Sequence, residues 1–147
     1  MNKKMMIFAF LLAFSHNVLA KCSFNIDSND AMQFSAQTLT VPSDCKKVTL
    51  TLNHTGKLPA KVMGHNWVLA KTPDVKAIAM EGMSAGLANK YIKKGDDRVF
   101  AASDIIGGGE STTLEFSTDK LKAGGDYTFF CSFPGHFGIM KGKFEFV

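Results

Sequence analysis

The stretch 126–147 reads DYTFFCSFPGHFGIMKGKFEFV. Its first part is aromatic and apolar up to Cys131, a Pro-Gly turn follows, and the final residues alternate between polar and apolar. Alternation with a period of two is typical of a β-strand that is buried on one face. The stretch therefore predicts two strands, 126–131 and 141–147, which are joined by a loop.

Similar patterns occur along the rest of the chain. Turn-forming Gly, Pro, Asn and Asp residues separate further strand candidates at 23–26, 33–34, 39–41, 47–53, 66–70, 98–101 and 111–117. The exception is 73–89, which is rich in Ala and Met and does not alternate, with Thr72 as a plausible N-cap. Short strands with one short helical excursion predict an all-β fold, a Greek-key β-sandwich with antiparallel strands.

The composition is that of an ordinary globular protein. The chain has 147 residues, of which 46% are hydrophobic and 20% charged, so a disordered chain is excluded. The formal net charge of +4 comes from scattered basic residues, which does not favour nucleic-acid binding.

The first twenty residues have the pattern of a secretory signal peptide. Lys3 and Lys4 precede an apolar run that is too short for a membrane anchor, and Ala20 ends the segment with a small residue. We therefore expect cleavage after Ala20 and a soluble exported domain, 21–147, without a membrane anchor. Removal of the two lysines lowers the formal net charge to +2.

All three cysteines lie in the predicted mature chain. An oxidising compartment favours pairing, and the odd number leaves one thiol over. Cys22 and Cys45 both lie near the mature N-terminus, and a bridge between them would stabilise the fold by about 3 kcal/mol. Cys131 would then be either a metal ligand or a buried, inert thiol.

One loop brings a thiol, an imidazole and a thioether together in the sequence, at Cys131, His136 and Met140. A blue-copper site needs two imidazoles and a thiolate in one plane, with a distant Met on the axis. His65, which precedes the apolar strand 66–70, offers the second imidazole. The loop contains no carboxylate that would favour a hard cation.

These motifs resemble those of the azurins, the bacterial branch of the blue-copper cupredoxin family. The resemblance covers the whole mature chain, and its clearest stretches are 29–34, 58–59, 62–69, 81–83, 129–136 and 140–142. It implies a cupredoxin-like fold with one copper ion in a type 1 (blue) site. It also implies a periplasmic location in a Gram-negative bacterium.

The resemblance further implies the role of each residue at the site. The equatorial ligands would be His65 Nδ1, Cys131 Sγ and His136 Nδ1, with the Met140 sulfur and the Gly64 carbonyl as weak axial contacts. Asn66 would tie the two ligand loops together, and the backbone N–H groups of Asn66 and Phe133 would donate to the thiolate. A partner-docking patch would surround His136, formed by Met32, Leu58, Met63, Phe133, Pro134, Gly135, Gly138 and Ile139, with Phe137 as an addition of this chain.

The function that the resemblance implies is electron transfer, in which copper cycles between Cu(II) and Cu(I) and no enzymatic activity is expected. The partners would be redox proteins such as c-type cytochromes or periplasmic reductases, which form transient complexes with a monomer. Two alternatives remain open. One is a periplasmic copper carrier or chaperone with an exchangeable site, and the other is a thiol hydrolase with Cys131 as nucleophile and His136 as base.

Overall fold

The structure is a computed structural model that describes residues 22–147. The predicted signal peptide and its cleavage site lie outside the described residues. In this part of the chain, no helix has the length and apolar character needed to cross a membrane.

Within residues 22–147, nine strands form two sheets that pack face to face. The strands are β1 (Ser23–Asn29), β2 (Gln33–Phe34), β3 (Thr38–Val41), β4 (Lys47–His54), β5 (Val68–Lys71), β6 (Val99–Ala102), β7 (Ser111–Ser117), β8 (Tyr127–Phe130) and β9 (Lys141–Phe146). One sheet has the order β2-β1-β4-β7 and the other the order β3-β9-β8-β5-β6. The predicted β-sandwich is confirmed.

Two strand pairs differ from the antiparallel arrangement that the sequence predicts. β1 pairs with β4, and β3 pairs with β9, in parallel, whereas the other neighbours are antiparallel. Alternation within a strand indicates which face is buried, but it does not indicate which strand lies alongside. The direction of these pairs therefore follows from long-range packing.

The core between the sheets contains the inward-facing residues of the alternating strands. Val48, Leu50 and Leu52 of β4 are fully buried, as their period-two pattern predicts. Trp67 lies at the centre, and its ring stacks on that of Phe129 with the centroids 5.7 Å apart. Because Trp67 and Phe129 are each two residues from a predicted ligand, this rigid core lies directly next to the site.

The predicted helical excursion is confirmed as a series of short helical turns. Thr72–Asp74, Met83–Ala85 and Leu87–Asn89 are 3-10 turns, and Val75–Gly82 forms α2, whereas α1 (Ala60–Met63) was not predicted. Thr72 does not cap a helix, because its hydroxyl donates instead to Asp126 Oδ1 at 2.7 Å. α2 covers the outer face of the five-stranded sheet, where a second apolar cluster is formed by Val68, Ala70, Val75, Ile78, Ala79 and Phe130.

The predicted disulfide is confirmed. Cys22 and Cys45 are joined, which connects the start of β1 to the turn before β4. Cys131 is the free cysteine of the described chain, and it is fully buried.

Candidate metal centre

The predicted ligands meet at one end of the sandwich because they lie at the ends of neighbouring strands. Cys131 follows β8 directly and Met140 precedes β9. His65 lies between α1 and β5, where its backbone N–H and C=O both bond to Ile106, at 3.0 and 2.9 Å. These attachments fix the start and end of each ligand loop on the sheet.

The loop between β8 and β9 closes on itself through backbone hydrogen bonds. The Cys131 N–H donates to Met140 O at 3.0 Å, and the Met140 N–H donates to His136 O at 2.8 Å. Gly135 has a φ of 84°, a left-handed angle that favours glycine. The closed loop turns the imidazole of His136 back toward the thiol of Cys131.

Three donor atoms converge in the interior. Cys131 Sγ lies 3.8 Å from His65 Nδ1 and 3.6 Å from His136 Nδ1, and all three atoms lie within 4.8 Å of one another. Cys131 and His65 have no exposed surface, and His136 is 4% exposed. The site is therefore a compact and dry group of two nitrogens and one sulfur.

Hydrogen bonding and burial keep His65 neutral, with a lone pair directed at the centre, and burial favours the neutral form of His136. His65 Nε2–H donates to Asn29 O at 2.8 Å, so Nδ1 carries the lone pair. Burial, together with the neighbouring imidazoles of His54 and His136, lowers the pKa of His65 to about 4. Burial also lowers the pKa of His136. Both imidazoles are thus in the form that binds a metal ion.

The thiol of Cys131 is in an environment that disfavours a free thiolate. Burial raises the pKa of Cys131 to about 12, although backbone N–H groups of Asn66 and Phe133 act in the opposite direction. A cysteine nucleophile requires a lowered pKa and some exposure. The environment therefore argues against a thiol hydrolase and favours a thiolate that is stabilised by a bound cation.

The donor set fits a transition-metal ion. An ion about 2.0 Å from each nitrogen and about 2.3 Å from the sulfur, with angles near 120°, separates nitrogen and sulfur by about 3.7 Å. The observed separations of 3.6 and 3.8 Å match this arrangement. Two imidazoles with one thiolate are the equatorial ligands of a blue-copper site.

The structure also places the carbonyl of one predicted axial residue, Gly64, next to this set. Gly64 O lies 3.8 Å from Cys131 Sγ. A side chain at position 64 would collide with the Ala60 carbonyl and with Ile105, so only glycine fits at this position. Met140 is fully buried at the end of the loop. Their weak axial roles remain predictions.

The side chain of Asn66 joins the two ligand loops. Its Oδ1 accepts from the Ser132 N–H at 2.9 Å, and its Nδ2 donates to the Ser132 hydroxyl at 2.8 Å. Asn66 follows His65 and Ser132 follows Cys131, so this link lies one residue from each ligand. The sequence alone gave no role to Ser132.

His54 is not among the predicted ligands, and it lies directly behind one of them, His65. Its ring stacks on the ring of His65, with centroids 4.5 Å apart. Its Nε2–H donates to Met63 O at 2.9 Å, and its Nδ1 accepts from the Gly56 N–H at 3.0 Å. Both ring nitrogens are occupied, which leaves neither for a metal ion.

The residues of the predicted docking patch differ in exposure. Leu58, Gly135, Gly138 and Ile139 are exposed, Met32, Met63 and Pro134 are partly buried, and Phe133 is buried. Val62, the neighbour of Met63 in α1, is 57% exposed. It is absent from the predicted docking patch because α1 was not predicted. Phe137 is also partly buried and packs against the apolar cluster under α2, and its place in the docking patch stays a prediction.

Comparisons with known proteins agree with this geometry. The family model for copper-binding proteins of the plastocyanin/azurin family matches residues 20–146. The chain is 53% identical to the azurin of Bordetella pertussis over 140 residues, which covers 95% of this chain and 93% of that protein. It is 52% identical to the azurin of Alcaligenes faecalis over 124 residues, or 84% of this chain and 97% of that protein.

A solved structure is similar over almost its whole length. The azurin Az-iso2 of the methylotroph Methylomonas sp. strain J superimposes with a TM-score of 0.83 at 43% identity, covering 87% of this chain and 99% of that one. The family match, the sandwich and the ligand group of His65, Cys131 and His136 together support one bound copper ion. The chain belongs to the plastocyanin/azurin family of copper-binding proteins.

Proposed function

We propose that this chain is a periplasmic electron carrier that exchanges single electrons with other redox proteins. The observation that carries the proposal is the burial of the ligands: Cys131, His65 and Met140 have no exposed surface, and His136 has 4%. No substrate can reach the metal through such a shell. When bound, copper supplies a one-electron couple between Cu(II) and Cu(I).

The residues around the site hold the ligands in one arrangement. The His65 ring is fixed by Asn29 O, and the Asn66–Ser132 link ties the two loops. A rigid set of neutral nitrogens and a soft sulfur suits both oxidation states of copper. Because the ligands need not move, little free energy is lost in rearrangement when an electron arrives or leaves.

Two backbone donors adjust the charge on the sulfur. The N–H groups of Asn66 and Phe133 lower the pKa of Cys131 because they stabilise its anionic form. The same hydrogen bonds withdraw charge from a metal-bound thiolate, which favours the reduced metal and raises the reduction potential.

Electrons would enter and leave through His136, because it is the ligand with some exposed surface. The exposed apolar side chains of Leu58, Val62 and Ile139 offer partners a face to dock on. A small apolar interface suits a complex that forms and dissolves quickly. With a mature net charge of +2, we expect a monomer that makes transient contacts with c-type cytochromes or periplasmic reductases.

Two features support the periplasm as the location. The first twenty residues match a cleaved signal peptide, and the Cys22–Cys45 disulfide requires an oxidising compartment. Cell fractionation of the native host, followed by mass measurement of the mature chain, tests both the location and the cleavage after Ala20.

The test of the electron-transfer role combines absorption with electron self-exchange. The oxidised, copper-loaded protein should show an intense band near the red end of the spectrum. Ile139→Lys should slow self-exchange at least tenfold without changing this band, since a charge would have to be desolvated in the complex. Val147→Lys is the matched control: Val147 is 61% exposed, close to the 64% of Ile139, but lies at the opposite end of β9.

Equal self-exchange rates in the two lysine variants would show that partners dock elsewhere. The copper-carrier alternative is tested with the same protein and a competing copper chelator. A carrier would release its copper within minutes, whereas the buried ligands predict a much slower release from an electron carrier.

A further inference from the structure

The helical segment ends in a turn with an unfavourable backbone. Lys90 and Tyr91 are consecutive residues with left-handed φ angles, 59° and 50°. For residues with a Cβ such angles cost about 1–3 kcal/mol each, and they persist only where the surroundings fix them. Neither residue is of a type that favours this conformation, so its contacts have to explain it.

The turn is held by hydrogen bonds within its own helical segment and by a close contact with α2. The Lys90 N–H donates to Leu87 O at 2.9 Å, and the Tyr91 N–H donates to Gly86 O at 3.0 Å. α2 passes so close that a Cβ at Gly82 would collide with the Tyr91 carbonyl. The turn is therefore fixed to α2, which in turn packs on the five-stranded sheet.

The carbonyl oxygen of Lys90 faces the metal centre and accepts two hydrogen bonds. The Ser132 hydroxyl donates to it at 2.6 Å, and Asn66 Nδ2 donates at 3.3 Å. Ser132 follows Cys131 and Asn66 follows His65, so one oxygen binds both ligand segments. A carbonyl oxygen has two lone pairs, and here each serves one segment.

The ring of Tyr91 supports the third ligand. It packs edge-to-face on Phe133, with centroids 5.2 Å apart and an interplanar angle of 73°. Phe133 in turn lies against His136, with centroids 4.7 Å apart. An aromatic pair of this kind contributes about 0.5–1.5 kcal/mol beyond the area that it buries.

We propose that the Lys90–Tyr91 turn is a positioning element of the metal centre, which holds the segments of all three ligands in place before a metal ion binds. The carbonyl of Lys90 holds the segments of His65 and Cys131, and the ring of Tyr91 holds His136 through Phe133. The proposal rests on the copper-ligand set, but it does not depend on which partners exchange electrons with the protein.

The test is amide hydrogen exchange in the metal-free full chain, for three variants of Tyr91. Tyr91→Phe keeps the ring and serves as the matched control, whereas Tyr91→Leu and Tyr91→Ala remove it. The reporters are the N–H groups of Ser132 and His136, which donate to Asn66 Oδ1 and Phe133 O. The amides of β4 report global unfolding, because that strand lies in the centre of the other sheet.

We expect the Leu and Ala variants to accelerate exchange at both reporters at least tenfold, with β4 unchanged and Tyr91→Phe like the wild type. Such local opening distinguishes a positioning role from a general loss of stability. Unchanged reporter rates, or equal acceleration at the reporters and in β4, would overturn the proposal. Because Tyr91→Leu retains most of the buried apolar volume, it provides the test if Tyr91→Ala does not fold.

A second measurement uses the copper(I)-loaded protein and the hydrogen bond to Lys90 O. Ser132→Ala removes the 2.6 Å bond to Lys90 O together with the 2.8 Å bond from Asn66 Nδ2, and release of copper(I) to a chelator should become at least tenfold faster. Ser84→Ala, the same change at an exposed serine that lies outside the Lys90–Tyr91 turn, is the matched control and should release copper at the wild-type rate. Equal rates in all three proteins would refute the role of the carbonyl. Failure of the electron-transfer role would appear in the Ile139→Lys comparison and would leave these rates unchanged.

Discussion

The metal-free protein should lose stability as the pH falls from 6.5 to about 4, because of His65. Burial lowers the pKa of this imidazole from 6.5 to about 4 in the folded chain. Between these values the unfolded chain binds a proton on His65 and the folded chain does not. The unfolded state therefore binds more protons, so the free energy of unfolding rises with pH in this window and is lost as the pH falls.

The size of the effect follows from the two pKa values. At about 1.4 kcal/mol per pH unit, the interval from 6.5 to about 4 corresponds to at most about 3 kcal/mol. The cause is visible in the structure, since Nε2–H is held by Asn29 O and Nδ1 faces the buried sulfur of Cys131. A protonated ring would place a charge in this buried pocket, next to the imidazoles of His54 and His136. His136 should add to the loss in the same direction, because burial lowers its pKa as well.

Urea unfolding of the metal-free protein, followed by the fluorescence of its single tryptophan, Trp67, measures this loss. The matched control is His65→Gln, which removes the titrating group and leaves every carboxylate unchanged. Between pH 6.5 and about 4.5 the wild type should lose about 2–3 kcal/mol more than the variant. Parallel stability curves for the two proteins would refute the assignment of the effect to His65.

Three further predictions concern the ligands and the disulfide. Cys131→Ser should abolish the intense colour of the copper(II) protein, because the transition belongs to the thiolate, and a variant that remains blue contradicts the ligand set. Met140→Leu should keep the colour and raise the reduction potential in voltammetry, since loss of a weak sulfur donor disfavours Cu(II) more than Cu(I). The control is Met83→Leu, a change at an exposed residue, which should leave the potential unchanged. The double change Cys22→Ser and Cys45→Ser should lower the free energy of unfolding by about 3 kcal/mol in urea titrations. The absorption spectrum should stay the same, and a shifted band would show that the disulfide also affects the geometry of the site.

The ligands could be predicted because metal chemistry restricts residue types and spacing. Cys131, His136 and Met140 lie within ten residues, and only a few ions accept this set. His65 is distant in the sequence and was identified by its place before an apolar strand and by resemblance. The sandwich was predictable for a similar reason, since period-two alternation is a local signal of burial.

The features that the sequence did not predict depend on contacts between distant segments. The left-handed turn at Lys90 and Tyr91 has no local signal, because glycine and asparagine are the residues that mark such angles. Thr72 has the residue type of an N-cap, but a hydrogen bond to Asp126 takes its hydroxyl. Phe137 follows a ligand, and its contact with the apolar cluster under α2 likewise joins segments that are distant in the sequence.

The same burial that destabilises the metal-free site makes it selective for a suitable cation. Burial keeps Cys131 protonated, with a pKa of about 12, and keeps His65 neutral down to a pH of about 4. Near neutral pH the imidazoles are thus already neutral, so metal binding releases only the thiol proton of Cys131. Because the thiolate that remains would otherwise be a buried and unpaired charge, only an ion that binds a thiolate strongly can occupy the site. The buried sulfur and nitrogen donors therefore favour a soft transition metal over the hard cations that carboxylates bind.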